Sequence, residues 1–125
     1  MNRAENAVAL KRANNCCQAV LLAYADRLPL SEDELKRLGA GFGLGMGCME
    51  ATCGALCGAQ MVLGLTNAEG RPTMRNAKAI TQAFREKVGA TVCGDIKGAA
   101  TGKVLCSCDN CVKYAVECLE RQIGS

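Results

Sequence analysis

The sequence predicts an all-α fold, a small bundle of four main helices with a glycine- and cysteine-rich loop, built as a single helical cysteine-rich domain over residues 1–125. Three observations carry that expectation. Half of the residues are hydrophobic, yet the only aromatic ones are Tyr24, Tyr114, Phe42 and Phe84. The core must therefore be made from Ala, Val, Leu, Ile, Met and Cys, which favours packed helices over a sheet. Apolar residues also recur at helical spacing in separate stretches, and glycine, proline and capping residues punctuate the chain between them. A chain of this length buries roughly two-thirds of its unfolded surface, enough for one core.

The first helix is expected from about Arg3 to Arg27, with Leu10, Ala13, Cys17, Val20 or Leu21, Tyr24 and Leu28 on its apolar face and Pro29 closing it. Ser31 with Glu34 forms a capping box for a short second helix through Leu38, the hydroxyl accepting from the third amide while the carboxylate reaches back. Gly39 to Gly47 holds five glycines in nine residues, too flexible to continue a helix. A third helix is expected from Met49 to Leu65. Pro72 precedes a fourth from Thr73 to Val88, whose apolar face is Ala77, Ile80, Ala83, Phe84 and Val88. Residues 89–109 read as irregular. Asp109 then caps a last helix through Gln122, released at Gly124.

The formal charge is +3, with Lys and Arg interleaved among Asp and Glu rather than gathered beside stacking aromatics, so nucleic acid is not an expected partner. The longest early apolar run, Ala19 to Ala25, is too short to export the protein or span a bilayer, and a cytoplasmic protein that does not engage membranes is expected.

The outstanding number is ten cysteines with no histidine. In a reducing compartment that density favours metal ligation or redox work over a disulfide scaffold. Without imidazole there is no haem or zinc ligand of that type and no histidine general base. Two groups stand out. In Cys48-Met-Glu-Ala-Thr-Cys53-Gly-Ala-Leu-Cys57-Gly58, Cys53 and Cys57 are four apart and read as sharing a helix face, with Cys48 at the glycine-rich entry. In Cys106-Ser-Cys108-Asp-Asn-Cys111, three sulfurs fall within six residues beside the free amides of a helix start, resembling an iron–sulfur binding run. A c-type haem would need histidine after Cys111, where the chain has Val112. Cys93 opens a glycine-bearing loop, Cys16 and Cys17 point about 100° apart, and Cys118 reads as core packing.

The run Asn15-Cys16-Cys17-Gln-Ala-Val-Leu21, the glycine-rich approach to Thr52-Cys53-Gly-Ala-Leu-Cys57-Gly58, and the later Cys93 and Cys111 together resemble the C-GCAxxG-C-C family, whose description advertises redox activity without fixing a reaction. The resemblance covers most of the chain. It implies that the family cysteines fall on Cys16, Cys53, Cys93 and Cys111, four thiols able to complete one cluster. Related segments are similar to part of the split-Soret cytochromes, which carry haem and an iron–sulfur cluster. A chain without histidine is not expected to bind those haems. The additional Cys17, Cys48, Cys57, Cys106, Cys108 and Cys118 leave a second or larger cluster open.

The leading expectation is an iron–sulfur protein, most simply of the 4Fe-4S type, that transfers electrons or supports a partner reductase. Cys53, Cys93 and Cys111 head the ligand set, Cys16, Cys48, Cys106 and Cys108 follow, and Gly47, Gly54 and Gly94 let backbone approach the cofactor. The competing readings are a copper(I) thiolate store using Cys53, Cys57 and the nearby Met46, Met49 and Met61, and a thiol–disulfide oxidoreductase using Cys108 and Cys111. No catalytic acid or base is evident. A redox partner protein is expected, and Ala51, Ala55 and Ala59 suggest a homodimer face.

Overall fold

The computed structural model describes residues 1–124 and is all-α. Seven α-helices are present among the described residues: α1 (Arg3–Leu10), α2 (Cys16–Ala23), α3 (Glu32–Gly39), α4 (Gly54–Leu65), α5 (Met74–Val88), α6 (Cys93–Lys97) and α7 (Cys108–Ile123). Among the described residues no helix is long and apolar enough to cross a membrane.

The expected first helix is broken in two. Asn14 turns its amide back to the Leu10 carbonyl at 2.9 Å, and Asn15 starts α2 afresh. Asn15 accepts from the Gln18 amide at 2.8 Å while the Gln18 side chain accepts from the Asn15 amide at 2.9 Å, a complete capping box. An asparagine satisfied this way prefers a cap to a helix interior, which is why the apolar periodicity does not carry one helix through. The Ser31–Glu34 box forms as the sequence indicates.

The third helix also starts late. It begins at Gly54, with Cys53 as its N-cap, because the preceding residues wind the other way. Leu44, Gly45, Met46 and Gly47 all have positive φ. Such a left-handed conformation costs roughly 1–2 kcal/mol for each residue bearing a side chain, and the glycines confine that cost to Leu44, Met46 and, just beyond Cys48, Met49. Cys48 therefore lies in this turn, exposed, rather than at a helix entry. At the last helix Ser107, not Asp109, is the cap: its hydroxyl accepts from the Asn110 amide at 3.1 Å, and Asp109 sits in the first turn.

Helices α2, α4 and α7 contact one another and form the centre, with α1 across α2 and α7, α5 across α4 and α7, and α3 on α2. One continuous core runs through them, with Tyr24, Leu21, Leu35, Ile80, Phe84 and Leu119 fully buried. Burying each large apolar side chain contributes roughly 1.5–3 kcal/mol. Ala55 and Ala59, read from sequence as a dimer face, are also fully buried in this core, so they are spent within the chain.

Candidate metal centre

The three central helices all begin at one cavity. Cys16 is the first residue of α2, Cys53 the N-cap of α4 and Cys108 the first residue of α7, with Cys111 one turn on. The short α6 adds a fourth start at Cys93. Alike starts end up together because the chain between them travels back: α5 runs between α4 and α6, and the segment 24–53 returns it from α2 to α4.

Local pairing completes the convergence. A single antiparallel bridge joins Thr52 to Val92, with the Cys53 amide donating to the Thr91 carbonyl at 2.8 Å and the Cys93 amide to the Ala51 carbonyl at 2.9 Å. Cys53 and Cys93, each following a bridged residue, are thereby held side by side. The Leu105 amide donates to the Ile96 carbonyl at 2.8 Å and ties Cys106 to α6.

The cavity has a volume of about 160 Å³, and six sulfurs border it, those of Cys16, Cys53, Cys93, Cys106, Cys108 and Cys111. Leu44 and Ile96 supply apolar wall, and Lys11 and Lys97 supply positive charge. Among the described residues no three His, Cys, Asp or Glu side chains close around a point as a single ion requires. The sulfurs ring a space instead. All ten cysteines are free.

Cys53 is the anionic sulfur of the group. Its thiol is held down to about 6 chiefly by a hydrogen bond from the Cys111 thiol, with help from the Ala55 and Leu56 amides at the start of α4 and from Lys97, against burial. Cys111 is pushed up by the same bond, because it donates to the Cys53 thiolate, and by burial. Burial, then the neighbouring Cys108 and Cys53 sulfurs, push Cys16 up to about 12. Cys93 and Cys106 are raised mainly by burial. Lys97 is raised because its ammonium donates to the Cys108 sulfur. A thiol held down at a helix start, with those of Cys16, Cys93, Cys106 and Cys111 raised around it, fits a site that soft cations complete.

Of the seven cysteines expected as ligands, six meet here. Cys48 does not border the cavity; its sulfur lies 3.7 Å from the Gly45 carbonyl, outside but close enough to act on Cys93. Gly54 borders the cavity, and a side chain there would meet the Phe42 carbonyl oxygen at 2.6 Å. Gly47 and Gly94 lie off it: the first belongs to the left-handed turn, and the second is pressed on the Met49 carbonyl. Cys53 and Cys57 do not share a face toward one site, since Cys57 turns to a separate groove. Cys118 is buried in the core. The sequence reading missed Asn15, Lys11 and Lys97. Only Asn15 carried a local signal, the Asn15–Gln18 capping pattern; two lysines meeting from α1 and α6 leave no trace in spacing.

A family model described as "Putative redox-active protein (C_GCAxxG_C_C)" matches residues 14–122, from the lead-in to α2 to the last turn of α7. No curated protein and no solved structure matches the chain. The match takes in all six cysteines of the cavity, and the chain belongs to the C_GCAxxG_C_C family.

Proposed function

We propose that the six-cysteine cavity holds an iron–sulfur cluster and that the chain transfers electrons to or from a partner redox protein in the cytoplasm. The observation that carries this reading is the convergence of six sulfurs at four helix starts around one space, with no imidazole or carboxylate on its walls. An all-sulfur set suits iron–sulfur chemistry, and a cluster, unlike a single ion, needs its ligands spread around a body. When bound, the cluster supplies reversible one-electron transfer.

Cys53, Cys93 and Cys111 are the foremost ligands, with Cys16 completing a set of four. Cys106 and Cys108 are further thiols that allow a larger or second cluster. Helix-start amides and the ammonium groups of Lys11 and Lys97 offset negative charge on sulfur, which favours the reduced state. Leu44 and Ile96 exclude water from one side, which opposes it.

A second reading is favoured by one observation: Cys53 and Cys111 pair as thiolate and thiol, the arrangement of a dithiol–disulfide couple. Cys53, however, is only 6 % exposed, which restricts attack by a partner disulfide. Anaerobic purification followed by a visible spectrum and analysis of iron and acid-labile sulfide separates the two. Broad charge-transfer absorption with sulfide supports the cluster. Protein that stays colourless after anaerobic reconstitution with iron and sulfide contradicts it and leaves the dithiol reading.

A further inference from the structure

Helix α4 carries sulfur on a second side. One turn after Cys53, Cys57 leaves the cavity and borders a groove on the surface with Thr52, Gln60, Met61, Thr81 and Thr91. Cys57 and Met61, four residues apart, share this face of the helix. Beneath them lies Cys17 of α2, fully buried, with its sulfur 3.8 Å from that of Met61. Of the ionisable groups around Cys17, Cys57 acts on it most strongly. The helices come this close because Gly58 intervenes: a side chain there would meet the Cys17 carbonyl oxygen at 2.8 Å.

We propose that Cys17, Cys57 and Met61 form a second, mononuclear site, separate from the cysteine cavity, that binds copper(I). The donor set is two thiols and a thioether, and no carboxylate borders the groove. Thioether sulfur selects a soft monovalent ion over zinc, which takes thiolate, imidazole and carboxylate. With metal–thiolate bonds of about 2.3 Å, three sulfurs around one ion stand about 4 Å apart. The Cys17–Met61 separation, 3.8 Å, already meets this, and the Cys57 thiol, now 3.9 Å from the Thr52 carbonyl oxygen, turns from it to close the set. Binding exchanges two thiol protons for one copper ion and moves no electrons. The ion enters from the groove, past the half-exposed Cys57 and Met61, and comes to rest on the buried Cys17.

This site is independent of what the cavity holds, and the test keeps the two apart. Full-length protein with labelled methionine methyl groups is titrated anaerobically with copper(I), the Met61 resonance being identified by its loss in Met61→Leu. The expected result is a shift of the Met61 methyl in wild type and also in Cys53→Ser, which removes a thiol of the cavity and none of the three proposed donors. In Cys57→Ser, a substitution at a half-exposed position, the shift should vanish and affinity at this site should fall on the order of 100-fold. A Met61 methyl that stays put while copper binds overturns the proposal. So does an unchanged shift in Cys57→Ser, or one that disappears in Cys53→Ser.

Discussion

Cys111 and Cys118 stand two turns apart on α7, both almost fully buried, and their surroundings differ entirely. Cys111 lies one turn into the helix, hydrogen-bonded to Cys53 and beside Cys106, at the rim of the cavity. Cys118 lies mid-helix, raised by burial, and the foremost charges acting on it are those of Arg121, Glu117, Lys87 and Glu86. The pair teaches that along α7 a thiol reaches the site only close to the helix start. The starts of α2, α4, α6 and α7 meet at one place, whereas the helix interiors pack apolar side chains against one another. Away from the shared end Cys118 fills the core as alanine or valine does.

The contrast between shared end and interior can be broken by mutation. The largest effect is expected at Gly54. An alanine methyl there would lie 2.6 Å from the Phe42 carbonyl oxygen and 3.3 Å from the Cys17 amide nitrogen, both backbone atoms that cannot rotate away. Gly54→Ala should destabilise the protein by about 3 kcal/mol. Gly64, in the same helix but exposed with open space around it, reverses the sign. Gly64→Ala should stabilise by roughly 0.5–1 kcal/mol. Chemical denaturation of both variants checks the pair, and equal effects would mean that the start of α4 is no more tightly built than its end.

Asn15 sharpens the comparison from the side of α2. Besides capping that helix it donates to the Gly39 carbonyl at 3.1 Å, fixing the entry of the glycine segment next to the cavity. Asn15→Ala should cost about 1–2 kcal/mol, and Asn15→Asp, which keeps the cap but loses the donor, less. Thermal midpoints of the two would rank them, and indistinguishable midpoints would remove Asn15 from the support of the site.

The smallest effect belongs to α3, away from the cavity. The Glu34 carboxylate accepts from the Ser31 amide, which holds it below its ordinary value of 4.5. A carboxylate lowered in the folded state adds stability above its unfolded value and loses it as pH falls through the folded one. The difference in midpoint between wild type and Glu34→Gln should therefore shrink as pH drops from about 6 to about 3. A constant difference would show that the charge takes no part in the cap.

Helix class was legible because local chemistry sets it: Ser31 with Glu34, Pro72 ahead of α5, and Gly124 closing α7 each act within one turn of their own position. Boundaries failed where two local signals competed. The apolar period runs unbroken across Asn15, so its capping box with Gln18 was overlooked, and Ser107 and Asp109 were both competent caps until the backbone chose one. The left-handed turn at Leu44 to Gly47 has no periodic pattern that would reveal it. The cysteines of the cavity were legible as types in sequence, but their meeting depends on the Thr52–Val92 bridge, a single pair of residues that no strand pattern announces. Cys48 shows the reverse failure: closeness in sequence to Cys53 does not carry it through the turn.

The central claim is that sulfur at the shared helix starts binds the cluster and sulfur in the interior does not. Iron per chain, measured in Cys111→Ser and Cys118→Ala after identical anaerobic reconstitution, tests it most directly. Cys118→Ala should retain the wild-type iron content and visible spectrum, losing only about 1–2 kcal/mol of stability. Cys111→Ser should lose iron or bind it with an altered spectrum. Iron lost from Cys118→Ala and kept by Cys111→Ser would contradict the account.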